Sequence, residues 1–421
     1  MSVMTEPPSQ GFRLSQLLYD TRYRSLTIQV VAMVLLMLML SWLLSNVIHN
    51  LQELGKDFDF GFLWSRAGYD INQRLIEYNT SCEVNGEIVN SVCSHARAAT
   101  VGILNTLLVA VLGCALATVL GVIAGVLRLS NNWLVAKLMA VYVEGFRNVP
   151  LLLWIILIFA LMTESMPAPR AFRGDTPEAS MILDAIAVTN RGIYIPGINF
   201  ASPFFDSGYL NWLLIVVVLI ASIYAITLIN HSATVKQEAT GIRPTTWYIN
   251  LAVFFLPAGI LMVLMGAHLN FPYLKGFNFT EGVHLRNSLI ALWIALSLYT
   301  GAFIAEIVRA GIMAISKGQS EAAYALGLRP GTTMNLVILP QALRVIIPPL
   351  ISQYLNLTKN SSLAIAVGYM DVRSTLGGIT INQTGRELEG MLLLGLFYLV
   401  TSLVISSAMN FYNNSVKLKE R

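Results

Sequence analysis

Charge is what this sequence most lacks. Asp, Glu, Lys and Arg together make up 12% of its 421 residues, about half the roughly 25% of an average soluble domain. So little charge cannot cover a water-facing surface of this size. That excludes a soluble enzyme and, with 55% hydrophobic residues, a disordered chain. Cysteine is scarce too: three in all, which excludes a disulfide framework and a four-cysteine zinc site. The five histidines, at 49, 95, 231, 268 and 284, show no metal-ligand spacing, and no metal is expected. The net charge of +4 is too small to point to nucleic acid. No G-x-x-x-x-G-K-[ST] phosphate loop occurs, because the one Gly-Lys pair, Gly55-Lys56, lacks the upstream glycine. No nucleophile constellation occurs either, so the chain is not expected to be an enzyme.

What the chain has is long apolar runs and a mean hydropathy of +0.64. A membrane-crossing helix needs about 20 apolar residues, since lipid offers the backbone no partner and the helix must satisfy its own groups. Such runs lie at Ser25–His49, Ala98–Leu127, Asn211–Asn230, Tyr248–Ala267, Asn287–Ala305 (continuing past charges to about Met313) and Met391–Tyr412. Val345–Thr358 is short but extends backwards through Leu336–Ala342. Met139–Met162 adds another, interrupted by Glu144 and Arg147. The expectation is an all-α polytopic membrane protein of eight spans, with both termini on one side. The first run is too long for a signal peptide, follows a polar lead and lacks a cleavage pattern, so it reads as a retained helix. Lys and Arg divide almost equally between the two sides but are denser in the short connections beside the termini, which favours termini inside.

Two long loops, 50–97 and 163–210, then fall outside. The first holds Cys82 and Cys93, and an oxidising compartment permits a disulfide between them; spacing leaves two free thiols open. Cys114, within a span, reads as a small packing residue.

One inside segment is too patterned for a plain connection: Ser316-Lys-Gly-Gln319-Ser-Glu321-Ala322-Ala323-Tyr-Ala-Leu-Gly327-Leu-Arg-Pro330. Ser316 followed by Gln319 begins like a capping box, and Glu321 suits the positive end of a helix. Gly327 can take the left-handed conformation that ends one, and Pro330 blocks continuation. The product is a short helix whose alanines let another backbone approach closely; a surface turn is the other reading.

The spacing here resembles a known signature. Glu321-Ala322-Ala323, three residues, Gly327, nine residues, then Val337-Ile338-Leu339-Pro340 is similar to the EAA signature of bacterial ABC-importer permeases, with Val337 for the usual Ile. Asn105-Thr106-Leu107, Tyr142 to Pro150, Tyr299 to Gly311 and Lys359-Asn360-Ser361-Ser362 extend the likeness. Together they resemble the polar amino-acid importer permeases, and above all the Q-type permeases of the Aap- and Bzt-like general amino-acid importers.

The resemblance implies a five-helix type I importer core carried by 98–162 and 286–421. Residues 1–97 (tail, first helix and outer loop) and 163–285 (outer loop and two extra helices) are additions. It implies that Ser316, Gln319, Glu321, Ala322, Ala323, Gly327, Leu339 and Pro340 form the coupling helix and its flank, docking on a cytoplasmic ATPase. The implied partners are a second homologous permease, two ATPase subunits that hold the ATP and Mg, a periplasmic binding protein and an amino-acid substrate. The chain itself would hold no cofactor and would sit among lipid in a bacterial inner membrane.

Two patterns put charge inside spans, Glu144-x-x-Arg147 and Glu306-x-x-Arg309. Residues three apart share a helix face, so each pair can neutralise itself. Intramembrane charges mark a pathway or a lock; Arg309 can also reach the boundary. Val149–Met162 spans only about 21 Å at ~1.5 Å per residue, so its helix either includes the charged pair or begins again at Pro150 with Asn148 as cap. The seventh span carries Pro340, Pro348 and Pro349, which should bend it. It ends in Gln353, Asn356, Lys359, Asn360 and Ser361, a donor-rich end suited to a zwitterion or to the headgroup region. Ala366-Val367-Gly368-Tyr369 only faintly resembles a potassium filter and is set aside. The alternative function is a secondary amino-acid transporter driven by an ion gradient, in which the EAA segment would be idle.

Overall fold

The computed structural model describes residues 21–53, 55, 58–84, 87–174, 177–205 and 208–416. The apolar runs form helices, as backbone that must satisfy itself in lipid requires. Among the described residues these are α1 (Thr21–Glu53), α2 (His95–Leu127), α3 (Trp133–Asn148), α4 (Leu151–Ser165), α5 (Gly208–Thr240), α6 (Trp247–Leu264), α7 (Asn287–Met313), α8 (Lys317–Ala325), α9 (Leu339–Asn360) and α10 (Glu387–Val416). Seven helices are long and apolar enough to cross a membrane, or eight if α3 and α4 count as one broken span.

That break decides between the two readings of 139–162: the helix begins again after Pro150, with Pro150 rather than Asn148 at the cap. Val149 is extended (φ −107°, ψ 134°), the conformation imposed on a residue before proline, and α3 and α4 meet at 107°. Pro150, without a side-chain bond, occupies the cap of α4. Asn148 closes α3, its amide donating to Glu144 Oε2 at 3.5 Å.

The chain divides into two units, 1–60 and 61–421. In the first, the apolar side chains of α1 are exposed along its length. The second unit includes residues 61–97, which the sequence reading grouped with the N-terminal helix. Ala67, Ile71 and Tyr78 are apolar enough to make a small core with Ala98 and Val101 at the head of α2. Cys82 and Cys93 are disulfide-bonded there, with Cα atoms 5.0 Å apart, beside a two-residue hairpin, Glu83–Val84 with Glu87–Ile88.

The centre of the second unit is α7. Leu292, Leu296, Ile304 and Val308 are buried among Val109 and Ala117 of α2, Leu151 and Ile155 of α4, and Ile346 and Leu357 of α9. The approach of α2 to α7 depends on missing side chains. A Cβ on Gly121 would lie 2.6 Å from Ile304 Cβ, and one on Gly125 would lie 2.6 Å from the Ala305 carbonyl. Small residues every fourth position (Gly113, Ala117, Gly121, Gly125) let two membrane helices touch through their backbones.

The region 163–285 contains more than loop. Strands β1 (Ala187–Thr189), β2 (Gly192–Ile195), β3 (Gly197–Phe200), β4 (Ala267–Asn270), β5 (Tyr273–Lys275), β6 (Asn278–Thr280) and β7 (Val283–Arg286) form three small antiparallel sheets, ordered β1-β2-β7, β3-β4 and β5-β6. Each is only three or four residues long, too short for alternation to show in sequence. The module bridges the two ends of the α5–α6 hairpin. It leads directly into α7, where Asn287 Nδ2 donates to the Asn190 carbonyl at 2.7 Å.

Candidate functional site

Between α7 and α9 the chain offers α8. Ser316 stands at its cap position but makes no side-chain bond. The capping box expected of Ser316 and Gln319 is therefore not formed; Gln319 Oε1 instead accepts from Gln341 Nε2 at 3.4 Å, a partner supplied by α9. The other end closes as the sequence indicates. Gly327 is left-handed (φ 77°), and the amides of Gly327 and Leu328 donate to the carbonyls of Tyr324 and Ala323 at 2.9 and 3.1 Å, satisfying the last carbonyls.

Of the three alanines, Ala323 turns inward and is buried, while Ala322 and Ala325 are exposed beside Glu321. Leu326 is 81% exposed, an apolar knob in water at the end of a thin helix. Pro330 does not merely stop α8. It opens a short turn, Pro330–Thr333, followed by a π-helical turn at Met334–Ile338. Pro340 explains the wide turn, since it has no amide to donate and its ring crowds the preceding carbonyls. The helix beyond runs unbroken through Pro348 and Pro349 to Asn360; the sharp bend lies at Val149–Pro150 instead.

One to two turns before the end of α7 lies an ion-pair network. Glu306 and Arg309 pair on α7, Arg309 Nη2 to Glu306 Oε1 at 2.6 Å. Glu144 and Arg147 form no pair with each other, which corrects the expectation for them. Glu144 takes Arg128, at 3.2 Å, while Arg147 turns to Glu306 at 4.0 Å, its guanidinium 5.3 Å from the centre of the Phe303 ring. Arg128 also donates to Glu306. The bend after α3 lays that helix across the end of α2 and the face of α7, so cross-helix partners outcompete the local one. Arg128 sits just past α2 and reads in sequence as an ordinary boundary residue; only its position after a long apolar run offered a clue.

On α9 the substrate-path candidates divide between faces. Asn356 and Lys359 are exposed, Gln353 and Asn360 are half-buried, and Ser361 is buried, its hydroxyl donating to the Thr358 carbonyl at 2.7 Å. The opposite face, Ile347, Ile351, Leu357 and Thr358, is buried. Asn356 and Lys359, with Ser352 and Pro349, therefore form a continuous strip open to whatever lies beside this chain.

The end of the core away from α8 is closed by residues 361–386, which fold back on α2. Thr106 Oγ1 accepts from the Val372 amide at 3.0 Å, and Asn105 Nδ2 donates to the carbonyls of Gln73 and Met370 at 2.8 and 2.9 Å. Tyr369 Oη donates to the Asn105 carbonyl at 3.1 Å. The Asn105-Thr106 pair thus staples two outer segments to one helix. Thr380 Oγ1 lies 3.0 Å from His95 Nδ1 and 3.3 Å from Tyr69 Oη. Burial pushes the Tyr69 phenol up to about 12, which keeps it a neutral donor.

Tight α2–α7 packing, a break beside an ion-pair network, and a thin helix held out from one end of the core are the features of a multi-helix integral-membrane protein. The model for the binding-protein-dependent transport system inner membrane component matches residues 244–418. Over the full length of both chains the sequence is 57% identical to the glutamate/glutamine/aspartate/asparagine transport system permease protein BztB of Rhodobacter capsulatus. It is 41% identical to the general L-amino acid transport system permease protein AapQ of Rhizobium johnstonii, over 98% of this chain and 96% of that one. The putative amino-acid ABC transporter permease protein YhdX of Escherichia coli is 41% identical over 94% and 95%. The chain belongs to the amino-acid ABC-transporter permease family. It is a polytopic inner-membrane permease subunit, and a family of this kind works with an ATPase and a binding protein.

Proposed function

We propose that this chain forms one half of the path through an ATP-driven importer of amino acids, glutamate, glutamine, aspartate and asparagine first among them. The observation that carries this reading is the exposed face of α8, Glu321, Ala322, Ala325 and Leu326, held out from a core whose central helix is buried. A rigid short helix with an open thin face is the shape needed to enter a groove on a moving partner. The end-to-end likeness to BztB supports the substrate class.

The assembly comprises this permease, a second homologous permease, two ATPase subunits that hold the ATP and Mg, and a periplasmic binding protein. The strip of Asn356 and Lys359 faces the second permease across the path, where a lysine and amides suit a carboxylate and an ammonium. With the outer loops, the β1–β7 module offers the binding protein a landing surface. Both termini are cytoplasmic; the Cys82–Cys93 disulfide supports this, because such bonds persist in the oxidising periplasm and put the 61–94 segment there. An ion-driven secondary transporter gives α8 no task.

The test is uptake by the reconstituted complex with unlabelled amino acids as competitors. Competition confined to acidic and amide amino acids, and dependent on ATP, is the expected result. Uptake that continued under an ion gradient with the ATPase subunits removed would sink the proposal.

A further inference from the structure

Helix α3 buries one side, Val143 against Ala124 of α2 and Ala305 of α7, and leaves the opposite side open. At about 100° per residue that open side divides lengthwise. Lys137, Glu144 and Asn148 occupy one exposed edge. Leu134, Leu138 and Val141, each more than half exposed, occupy the other.

Two contacts fix which edge lies deeper along the spans. Tyr142, which follows Leu134 and Leu138 by two turns and one on the same side of the helix, donates its hydroxyl to the Leu298 carbonyl of α7 at 2.8 Å. On the polar edge Glu144 takes Arg128, at 3.2 Å, and Arg128 also pairs with Glu306 of α7. Leu298 lies about two turns nearer the middle of α7 than Glu306 does. The apolar edge therefore points towards the middle of α7, and the polar edge towards the end where α8 begins.

The spans also fix where hydrocarbon ends. The charge-free part of α7, Asn287–Ala305, is about 28 Å long at ~1.5 Å per residue, close to the ~30 Å of a bilayer core. The boundary then falls at Glu306, and Arg128 reaches the same level just past the apolar run of α2. α3 crosses α2 and α7 there, and α4 departs from it at 107°, near a right angle. α4 has 15 residues, about 22 Å; the non-helical Val149, Pro150 and Met166 beside it, at ~3.3 Å each, bring it to about 30 Å. It is long enough to cross without α3.

We propose that α3 is a membrane-surface helix, lying in the headgroup plane at the α8 end of the core with Leu134, Leu138 and Val141 in lipid and Lys137, Glu144 and Asn148 in water. Such a helix seats its apolar side about 5–10 Å into the boundary and keeps its charges above it, and Trp133 at its start is of the type enriched at that level. As part of a span, α3 would offer Lys137 and Glu144 to hydrocarbon, which is costly. A second permease covering the whole open side gives no reason for the lengthwise division. Lipid does, because it ends at a plane.

The test is a nitroxide scan of α3 in the assembled importer, reconstituted in vesicles of phosphatidylethanolamine and phosphatidylglycerol. Leu134→Cys, Leu138→Cys, Val141→Cys, Lys137→Cys and Asn148→Cys are labelled one at a time on a Cys114→Ser background, with Cys82 and Cys93 held in their disulfide. Collision with oxygen, which enters lipid, relative to a nickel chelate, which stays in water, should be several-fold higher at Leu134, Leu138 and Val141 than at Lys137 and Asn148. The depth of the first three should be about 5–10 Å. Equal ratios at all five positions would put α3 in water. Protection from both reagents at Leu134, Leu138 and Val141 would mean that protein, such as the second permease, covers them, and a depth at the bilayer midplane would make α3 part of a span. Each of these three results overturns the proposal.

Discussion

Arg128 and Glu306, 178 residues apart in sequence, form an ion pair that ties the end of α2 to the face of α7. Their side chains are only 17% and 26% exposed, so solvent screens them less than a surface pair. Glu306 receives Arg309 and Arg147 as well, and Arg128 also holds Glu144. Three helices, α2, α3 and α7, are thus joined through one carboxylate and one guanidinium.

Removing Arg128 should therefore do more than removing Arg147. Arg128→Ala leaves Glu144 without its arginine and Glu306 with one partner fewer, a loss on the order of 2 kcal/mol for a partly buried pair. Arg147→Ala, whose partner is 4.0 Å away, should cost well under half of that. Thermal unfolding of the purified complex compares the two, and a Glu306→Gln background should shrink the Arg128→Ala effect. Additive losses in the double variant would mean the pair is not coupled.

On α8, if it docks on the ATPase as proposed, Glu321→Lys or Ala322→Trp should abolish uptake while the protein remains inserted at parental levels. Ala323→Trp differs in kind. Ala323 faces its own spans, so the bulky side chain should lower the amount of folded protein. Leu326→Cys, 81% exposed as leucine, should react with a membrane-impermeant maleimide in inside-out vesicles and not in intact cells. Labelling in intact cells would put α8 on the wrong side for an ATPase.

Gly125→Leu should destabilise the core by about 1–3 kcal/mol, the range for forcing volume into a packed site, since its Cβ would meet the Ala305 carbonyl at 2.6 Å. Gly395→Ala, at an open position of α10, is the control. It should be neutral or slightly stabilising, because alanine holds a helix better than glycine. Detergent-solubilised melting curves of the two variants separate packing from helix propensity.

Cys82→Ser should loosen the outer loop without unfolding the spans. The bond closes a short stretch, a sequence separation of 11, and its loss is worth about 2–4 kcal/mol to that loop. Protease added to the outside should then nick residues 61–94 while α2 to α10 remain intact.

The sequence by itself determined the spans, the short helix α8 and the membrane setting. Each depends on local signals: twenty apolar residues force a helix in lipid wherever they fall, and the EAA spacing is read along one short stretch. Gly327 was equally legible, because a left-handed turn is a property of one residue. The tertiary structure alone decided which charges meet. Glu144 and Arg147 share a helix face and were reasonable partners, but the break at Val149–Pro150 turned that helix against α2 and α7, and Arg128 and Glu306 took them. Distances between distant segments are set by packing, and packing is what a linear pattern of residues does not contain.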